Sequence, residues 1–282
     1  PTRRSSDLMK KRLLNDWWKY LLGLLIIIFH VLPIYVLIVM AFKSMSDPSS
    51  LLSLPQKVYT ANFTKVFQSG NIPSALKNTV IVTFCVLLIE ILVGGFASYP
   101  LSRNKSRWNG IIKGVIMGIM MIPSLSILVG VYSLLVSIKG ISTLWGLILV
   151  SSAFGLPMTI YLFTNFIGAI PPSLDEASAI DGCGVAQTFF YIILPQLKPV
   201  TVTIVILNGV AIWNEYAYSL YILQKPKMYT LTLMISQYFS AGGKDLNGAA
   251  AAACVAIFPL IIAYIFLQKY FIQGTIDSAI KG

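Results

Sequence analysis

The sequence predicts an all-α membrane protein with six transmembrane helices, and three observations support this fold class. Hydrophobic residues make up 56% of the 282 residues, whereas charged residues make up only 11%. The mean hydropathy of +0.78 exceeds what the core of a water-soluble domain of this length requires. The apolar residues also fall into six separate runs, each long enough to cross a hydrocarbon layer of roughly 30 Å as a helix.

The six apolar runs are predicted to be helices because lipid offers a backbone N–H or C=O group no hydrogen-bonding partner outside its own helix. Prolines inside such helices are tolerated as kinks. In chain order, the predicted spans cover residues 20–42, 76–99, 111–137, 143–168, 198–222 and 247–271. They divide the chain into an N-terminal segment 1–19, a six-span domain 20–271 with a long connecting loop 169–197, and a tail 272–282.

Several residues in the predicted spans, or at the start of one, carry polar groups or lack a side chain. His30 has no carboxylate one helical turn away, which predicts a packed histidine rather than a ligand. For Glu90 two interpretations stay open: a residue that faces a cavity or a partner subunit, or one member of an internal structural pair. Gly110, Gly114 and Gly118 recur every four residues and predict close packing of the third span against a neighbouring helix.

The distribution of basic residues predicts the orientation in the membrane. The formal net charge is +11, but the basic residues lie between apolar runs, which favours anionic lipid headgroups over nucleic acid as the partner. The N-terminal cluster and residues 103–113 predict cytoplasmic termini by the positive-inside rule, a cytoplasmic loop 169–197, and external loops 43–75 and 223–246. Residues 1–8 read unlike the rest, so both a native start and a cloning or annotation remnant stay open.

Motifs for metal binding and catalysis are missing from the sequence. Cys85, Cys183 and Cys254 lie far apart with no CxxC or Cys/His grouping, so neither a metal site nor a disulfide is expected. No G-x-x-x-x-G-K-[ST] motif is present to hold ATP, and no HExxH motif or Ser/His/Asp set indicates hydrolysis. We therefore expect no catalytic residue and a transport rather than an enzymatic role.

The loop between the fourth and fifth spans is too polar at its start to lie in lipid. Its sequence predicts a short helix that follows Pro171-Pro172, with Ser173 as the N-cap and Glu176 as the third helical residue of a capping box. The helix is predicted to end at Asp181-Gly182, where glycine adopts the left-handed conformation. Such a helix, with small side chains on one face, fits a cleft on another protein.

The same loop resembles the permeases of bacterial ABC importers. Their pattern is E-A-A, three residues, G, nine residues and I-x-L-P, and here Ser178 replaces the second alanine. The six matching positions are Glu176, Ala177, Gly182, Ile192, Leu194 and Pro195. The resemblance implies the type I ABC importer permease fold, with residues 174–183 as the coupling helix that enters the ATPase. The implied coupling residues are Glu176, Ala177, Ser178, Ile180, Asp181, Gly182, Leu194 and Pro195.

The resemblance extends over nearly the whole chain and points to the carbohydrate-uptake class, exemplified by the second membrane subunit of the maltose transporter. Its segments here are NFTKVFQSGNIPSALKNTVIVT and WNEYAYSLYIL. The family implies a second homologous permease, two ATPase subunits, an extracellular solute-binding protein and the bilayer of a bacterial inner membrane as partners. It implies no cofactor in this chain, with ATP and Mg²⁺ bound by the ATPase.

Two further sites are expected from the family. One is a translocation path, comprising Asn208, Trp213, Asn214 and Glu215, although a structural hydrogen bond near the outer interface is an equal alternative for Glu215. The other contacts the solute-binding protein through Ser240, Gly242, Gly243, Lys244 and Asp245, with an ordinary interfacial loop as the alternative.

The expected activity is import of a sugar or oligosaccharide by alternating access driven by the separate ATPase. An importer for another solute, such as glycerol phosphate, shares the same architecture and stays open. A secondary transporter is disfavoured because the sequence shows no two related halves and no set of membrane-buried charges for coupling ions. A membrane-bound enzyme would need a polar catalytic cluster, and His30, Glu90 and Glu215 are too dispersed to supply one.

Overall fold

A computed structural model describes residues 16–69, 72–240 and 245–280, with side chains for 16–68, 72–239 and 245–268. Within these ranges the chain is helical and forms no strand, as the fold class predicts. The α-helices, in chain order, are α1 (Trp17–Ala41), α2 (Ala61–Ser69), α3 (Ile72–Arg103), α4 (Arg107–Met120), α5 (Leu128–Ser137), α6 (Leu144–Ala169), α7 (Ser173–Ile180), α8 (Val185–Gln187), α9 (Leu194–Gln196), α10 (Lys198–Trp213), α11 (Ala217–Ile222), α12 (Leu231–Ser240) and α13 (Leu246–Ile280).

Four of the described helices are long and apolar enough to cross a membrane: α1, α3, α6 and the part of α13 at Leu246–Gln268. The most apolar of the four, α1, is the least covered by the rest of the protein, and the least apolar, α6, is the most covered. Two bent helix pairs, Arg107–Met120 with Ser124–Ser137 and Val185–Gln196 with Lys198–Trp213, bring the number of spans to six if each pair is one span.

The third and fifth predicted spans differ from continuous helices. The chain turns by 92° between Met120 and Ser124, where Pro123 takes an extended conformation and begins a single 3-10 turn, Ser124–Ile127. Pro33, Pro157 and Pro259 instead lie inside unbroken helices, as expected. A proline lacks the N–H that would continue the helical ladder, so its surroundings decide between a kink and a break. The fifth span ends at Trp213 and is followed by the separate helix α11.

The described residues of 1–69 and 238–255 form one compact unit. Here the Asn62 amide donates hydrogen bonds to the carbonyls of Ala41 and Lys43 at 2.9 and 2.7 Å, and the Asn247 amide donates to Lys43 at 2.7 Å. These two side chains satisfy carbonyls at the C-terminal end of α1, which have no partner within the helix. Large apolar side chains along α1 are mostly exposed, as expected of a helix that faces lipid.

The described residues of 70–237 and 256–282 form the second unit, in which α3 packs along α6 and both contact α10. Its core has two clusters of buried apolar residues. One includes Val86, Leu147 and Ile222; the other includes Phe163, Phe189 and Ile204 and lies next to the loop that carries α7.

Candidate functional site

Helix α7 forms where the sequence predicts a short loop helix, but its first turn is built differently. Pro172 is the N-cap and is itself near-helical, with φ −60° and ψ −22°. Ser173 is therefore the first helical residue, and no side chain caps the helix. The predicted capping box is wrong, since a near-helical Pro172 moves the start of the helix by one residue and puts Asp175, not Glu176, third. The Glu176 side chain is left exposed, with no hydrogen bond or ion pair to the described residues.

The end of α7 agrees with the sequence prediction. Gly182 has φ +82°, the left-handed conformation that favours glycine. The Gly182 N–H donates to the Ala179 carbonyl at 3.1 Å, and the Cys183 N–H donates to the Ser178 carbonyl at 2.9 Å. These two bonds form a Schellman motif, which fixes the exit of the chain from α7.

The predicted coupling residues fall into two groups. Ile180 is 87% exposed, and Glu176, Ala177, Asp181 and Gly182 are exposed as well. This group forms an accessible surface on α7 that we call the α7 outer face. Ser178 is only 2% exposed, and farther along the loop Leu194 is half-buried and Pro195 exposed.

Ser178, the position that departs from the two-alanine pattern, faces the inside of the unit. Its hydroxyl lies 2.8 Å from the Thr188 hydroxyl and donates to the Asp175 carbonyl at 2.8 Å. Thr188 begins a π-helical turn, Thr188–Ile193. The serine therefore holds α7 against the second half of the loop, and it is not part of the α7 outer face.

Asp175 joins α7 to the last turn of α3. Its Oδ1 accepts a hydrogen bond from the Tyr99 hydroxyl at 2.5 Å, and its Oδ2 lies 2.7 Å from Nη2 of Arg103. The second contact is an ion pair without hydrogen-bond alignment, because neither atom has a hydrogen-bonding partner by geometry. Arg103 also donates through Nη1 to the carbonyls of Ile167 and Ile170 at 3.1 and 2.9 Å, at the end of α6.

Sequence reasoning missed the Tyr99, Arg103 and Asp175 contacts. Arg103 contributed only to the basic residues of 103–113 and Asp175 only to the range 174–183, because their partners lie far away in sequence. The available signal was the placement of an arginine and an aspartate at the same predicted side of the membrane. These three residues line a cleft of about 670 Å³ together with Glu176, Phe96 and Phe189. An acidic, accessible helix next to such a cleft can receive a complementary basic or apolar surface of another protein.

The predicted path residues contact different parts of the structure. Glu215 accepts from the backbone N–H of Tyr218 and Ser219 at 2.6 and 2.9 Å, and from the Ser219 hydroxyl at 2.6 Å. Its carboxylate thus caps α11, which corresponds to the structural alternative for this residue. Trp213 is buried and donates from Nε1 to the Ala256 carbonyl at 3.2 Å. Asn214 is exposed and donates to the Val210 carbonyl at 2.8 Å. A role in a translocation path stays a prediction for both.

Asn208 forms a buried polar cluster with Glu90 and Thr159. Its amide donates to Glu90 Oε2 at 2.6 Å and to Thr159 Oγ1 at 3.0 Å. Glu90 is fully buried, and its Oε1 occupies the space that a side chain at Gly155 would fill. The cluster joins α3, α6 and α10, and it corresponds to the internal structural pair that the sequence left open for Glu90.

Most of the residues predicted to contact a solute-binding protein fall outside the description. Gly242, Gly243 and Lys244 lie outside the described residues, and the Ser240 side chain is not described. Asp245 accepts from Lys65 at 2.6 Å and from the Gly248 N–H at 2.8 Å. Burial raises the pKa of Asp245, but these hydrogen bonds and the Lys65 charge outweigh burial and hold that pKa below its usual value. The hydrogen bond to Asp245 and the negative charge of Asp245 raise the pKa of Lys65.

Comparison with known proteins gives consistent results at the levels of family, sequence and fold. The family model of the binding-protein-dependent transport system inner membrane component matches residues 90–277. The chain is 35% identical over 263 residues to the melibiose/raffinose/stachyose import permease protein MelC of Bacillus subtilis, covering 93% of this chain and 95% of MelC. It is 31% identical over 267 residues to the probable starch degradation products transport system permease protein AmyC of Thermoanaerobacterium thermosulfurigenes, covering 93% of this chain and 97% of AmyC.

Solved structures share the fold of this chain. A chain of a bacterial ABC transporter involved in import of the acidic polysaccharide alginate superposes with a TM-score of 0.80 and 19% identity, covering 93% of this chain and 98% of the other. The bacterial alginate ABC transporter in complex with an alginate pentasaccharide-bound periplasmic protein gives a TM-score of 0.69 with 19% identity, covering 92% and 94%.

Proposed function

Because the chain belongs to the family of binding-protein-dependent transport system inner membrane components, we propose that it brings a sugar or an oligosaccharide into the cell. The chain is a membrane-embedded permease subunit of an ABC importer with the type I fold, and it is a transport component rather than an enzyme. The energy for transport comes from a separate ATPase that binds ATP and Mg²⁺. A second, homologous permease completes the pathway.

A carbohydrate substrate is supported by the relatives that cover almost the whole chain. MelC is named for melibiose, raffinose and stachyose, AmyC for starch degradation products, and MsmG of Streptococcus mutans for multiple sugars. These sugars share hydroxyl-rich rings of similar size. We therefore propose an α-galactoside or a short glucan as the cargo, in preference to glycerol phosphate.

The observation that carries the coupling part of the proposal is the α7 outer face. Glu176, Ala177 and Ile180 are exposed while Ser178 is buried, so the helix is held by one side and accessible on the other. The exposed Glu176 carboxylate can accept charge-assisted hydrogen bonds from a basic residue of the ATPase. Closure of two ATPase subunits then moves α7, and the bundle changes between inward-facing and outward-facing states.

The proposed topology places the termini and α7 in the cytoplasm, because Arg103 and the neighbouring basic residues favour that side. The loop that carries Asp245 then faces outward and contacts the solute-binding protein. The cargo passes through a cavity between this chain and the second permease. We assign Trp213 and Asn214 to its outer part and Asn208 to its wall, with Glu215 holding α11 in place.

The proposal is tested with the complete complex in proteoliposomes. The chain is co-expressed with the partner permease, ATPase and binding protein of its source organism, and ATP-dependent uptake of raffinose, stachyose, maltotriose and glycerol 3-phosphate is compared. We expect uptake of at least one sugar, dependent on ATP inside and on the binding protein outside. E176A should lower the amount of ATPase that co-purifies, whereas R107K, at an exposed position without described partners, should not. Uptake of glycerol 3-phosphate alone would overturn the sugar assignment, and E176A with wild-type ATPase content would overturn the docking assignment.

A further inference from the structure

We propose that Asp175, Tyr99 and Arg103 form the link through which displacement of α7 reaches the membrane-spanning helix α3. This inference rests on the proposed function, since it assumes that an ATPase moves α7. It assigns Asp175 to a different task from its neighbour Glu176. Glu176 meets the partner, whereas Asp175 transmits the movement into the bundle.

The geometry of Asp175 suits a link because both of its carboxylate oxygens are bound to one helix. Oδ1 accepts from Tyr99 at 2.5 Å, and Oδ2 lies 2.7 Å from Arg103. Tyr99 and Arg103 are four residues apart and so lie on the same face of α3, one above the other. A carboxylate held at two points on the same helix face cannot shift without moving that face or losing at least one of these contacts.

The link is shielded from solvent, which strengthens it. The side chains of Arg103 and Asp175 are only 18% and 20% exposed, so their attraction is screened less than that of a surface pair. The Tyr99 ring packs against Phe189, with ring centroids 5.6 Å apart. Tyr99 therefore also contacts the π-helical turn that follows α7.

Arg103 extends the link to a second spanning helix. Through Nη1 it donates to the carbonyls of Ile167 and Ile170 at the C-terminal end of α6. The Ile167 carbonyl also accepts from the Ile170 N–H at 3.1 Å. Arg103 thus joins the ends of α3 and α6 to α7. The ends of two packed spans would move together when α7 moves.

A purely structural anchor would make the same contacts, so the test must separate transmission from docking and from folding. The central variant is D175N, which keeps the size of the side chain and an oxygen for Tyr99 but removes the charge that pairs with Arg103. Arg103 keeps its bonds to α6 in this variant. D175E restores the charge, and D16N is the matched control, because Asp16 forms an exposed pair with Lys19 at 2.8 Å.

Three measurements on the complete complex are needed for each variant. The first is the amount of ATPase that co-purifies, which reports docking. The second is the fluorescence change of a bimane label at L92C on trapping the nucleotide with vanadate, in a chain whose three cysteines are replaced by alanine. Leu92 is an exposed residue of α3, so the label reports movement of α3 without any sugar. The third is raffinose uptake per ATP hydrolysed.

We expect D175N to retain the ATPase but to lose about 5-fold or more of both the label response and the uptake per ATP, the lower bound of typical coupling between sites. D175E should stay within about 2-fold of the wild type, and D16N should match it. A wild-type label response in D175N overturns the link, and so does loss of the ATPase from D175N, which would make Asp175 a docking residue. A wild-type complex that responds to nucleotide but not to any sugar overturns the proposed cargo and leaves the link standing. A wild-type complex without bound ATPase overturns the proposed function itself.

Discussion

Substitution of Gly155 by alanine should destabilise the protein by displacing the buried Glu90 carboxylate. A Cβ atom at position 155 would lie 1.7 Å from Glu90 Oε1 and 2.7 Å from its Cδ, and real Cβ atoms essentially never come closer than 3.0 Å to another heavy atom. The carboxylate would therefore have to move by about 1.3 Å, the difference between 3.0 and 1.7 Å. Glu90 is flexible enough to move, but it is fully buried, and moving it disturbs the 2.6 Å hydrogen bond from Asn208.

The expected cost follows from three contributions. Overpacking a core typically costs about 1–3 kcal/mol, and the weakened hydrogen bond adds roughly 1 kcal/mol. Replacing a glycine by alanine inside a helix offsets about 0.5–1 kcal/mol of this. The net loss is about 2 kcal/mol, which corresponds to a fall in Tm of roughly 4–8 °C for a domain of this size.

The assay is thermal denaturation of the detergent-purified chain, followed by the monodisperse fraction in size-exclusion chromatography. G168A is the matched control in the same helix, because its Cβ would lie 3.5 Å from Ser102 Oγ, an ordinary contact. The double variant E90A/G155A should be more stable than the sum of its single variants by about 1–3 kcal/mol, since removing the carboxylate removes the clash. Equal Tm values for G155A and G168A, or additive effects of E90A and G155A, would refute the reasoning.

Three other predictions concern α7 and the Lys65–Asp245 pair. G182A should lower the free energy of unfolding by about 1–2 kcal/mol, because the φ of +82° is strained for any residue with a side chain. Less ATPase should co-purify with this variant than with the control G184A, whose φ is −73°. Equal amounts of ATPase with the two variants would contradict the prediction. S178A removes the hydroxyl contact to Thr188 and should lower the free energy of unfolding by about 1 kcal/mol. Backbone hydrogen exchange in residues 173–183 should become faster, and unchanged exchange would count against the prediction. The contact between Lys65 and Asp245 should stabilise the protein fully at neutral pH. Because the pKa of Asp245 is lowered, this stabilisation is lost on the acid side as the pH falls through that lowered value. Because the pKa of Lys65 is raised, it is lost on the alkaline side only in strong base. The rate of limited proteolysis near Lys65 and Asp245 should hence be constant between about pH 5 and 9. The rate should rise at lower pH in the wild type but not in D245N; a rate that changes between about pH 5 and 9 would contradict this prediction.

Features set by neighbouring residues were predictable from the sequence. The end of α7 is an example, because the left-handed conformation at Gly182 depends on the absence of a side chain at that position. The helical class is another, since only helices and closed barrels satisfy the backbone in lipid. The six-position pattern around Glu176 likewise predicts where α7 lies in the chain.

Features set by distant residues were not predictable from one sequence. Glu90 and Asn208 are 118 residues apart, and Tyr99 and Asp175 are 76 apart; nothing local indicates either contact. The start of α7 moved because Pro172 takes a helical conformation that its type permits but does not require. The same applies to Pro123, which breaks its span while Pro33 and Pro157 do not. Which proline breaks a helix depends on whether neighbouring elements cover the freed backbone groups.

The contrast between α1 and α6 in apolarity and burial bears on how the chain enters the membrane. Helix α1 leaves the ribosome before α6, and with little protein around it it must partition from the translocon into lipid by its own hydrophobicity. Helix α6 is less apolar and more covered, so its insertion depends on α3 already being in place to receive it. We expect a nascent chain truncated before α6 to integrate into the membrane normally. A chain that contains α6 but lacks α3 should integrate α6 poorly.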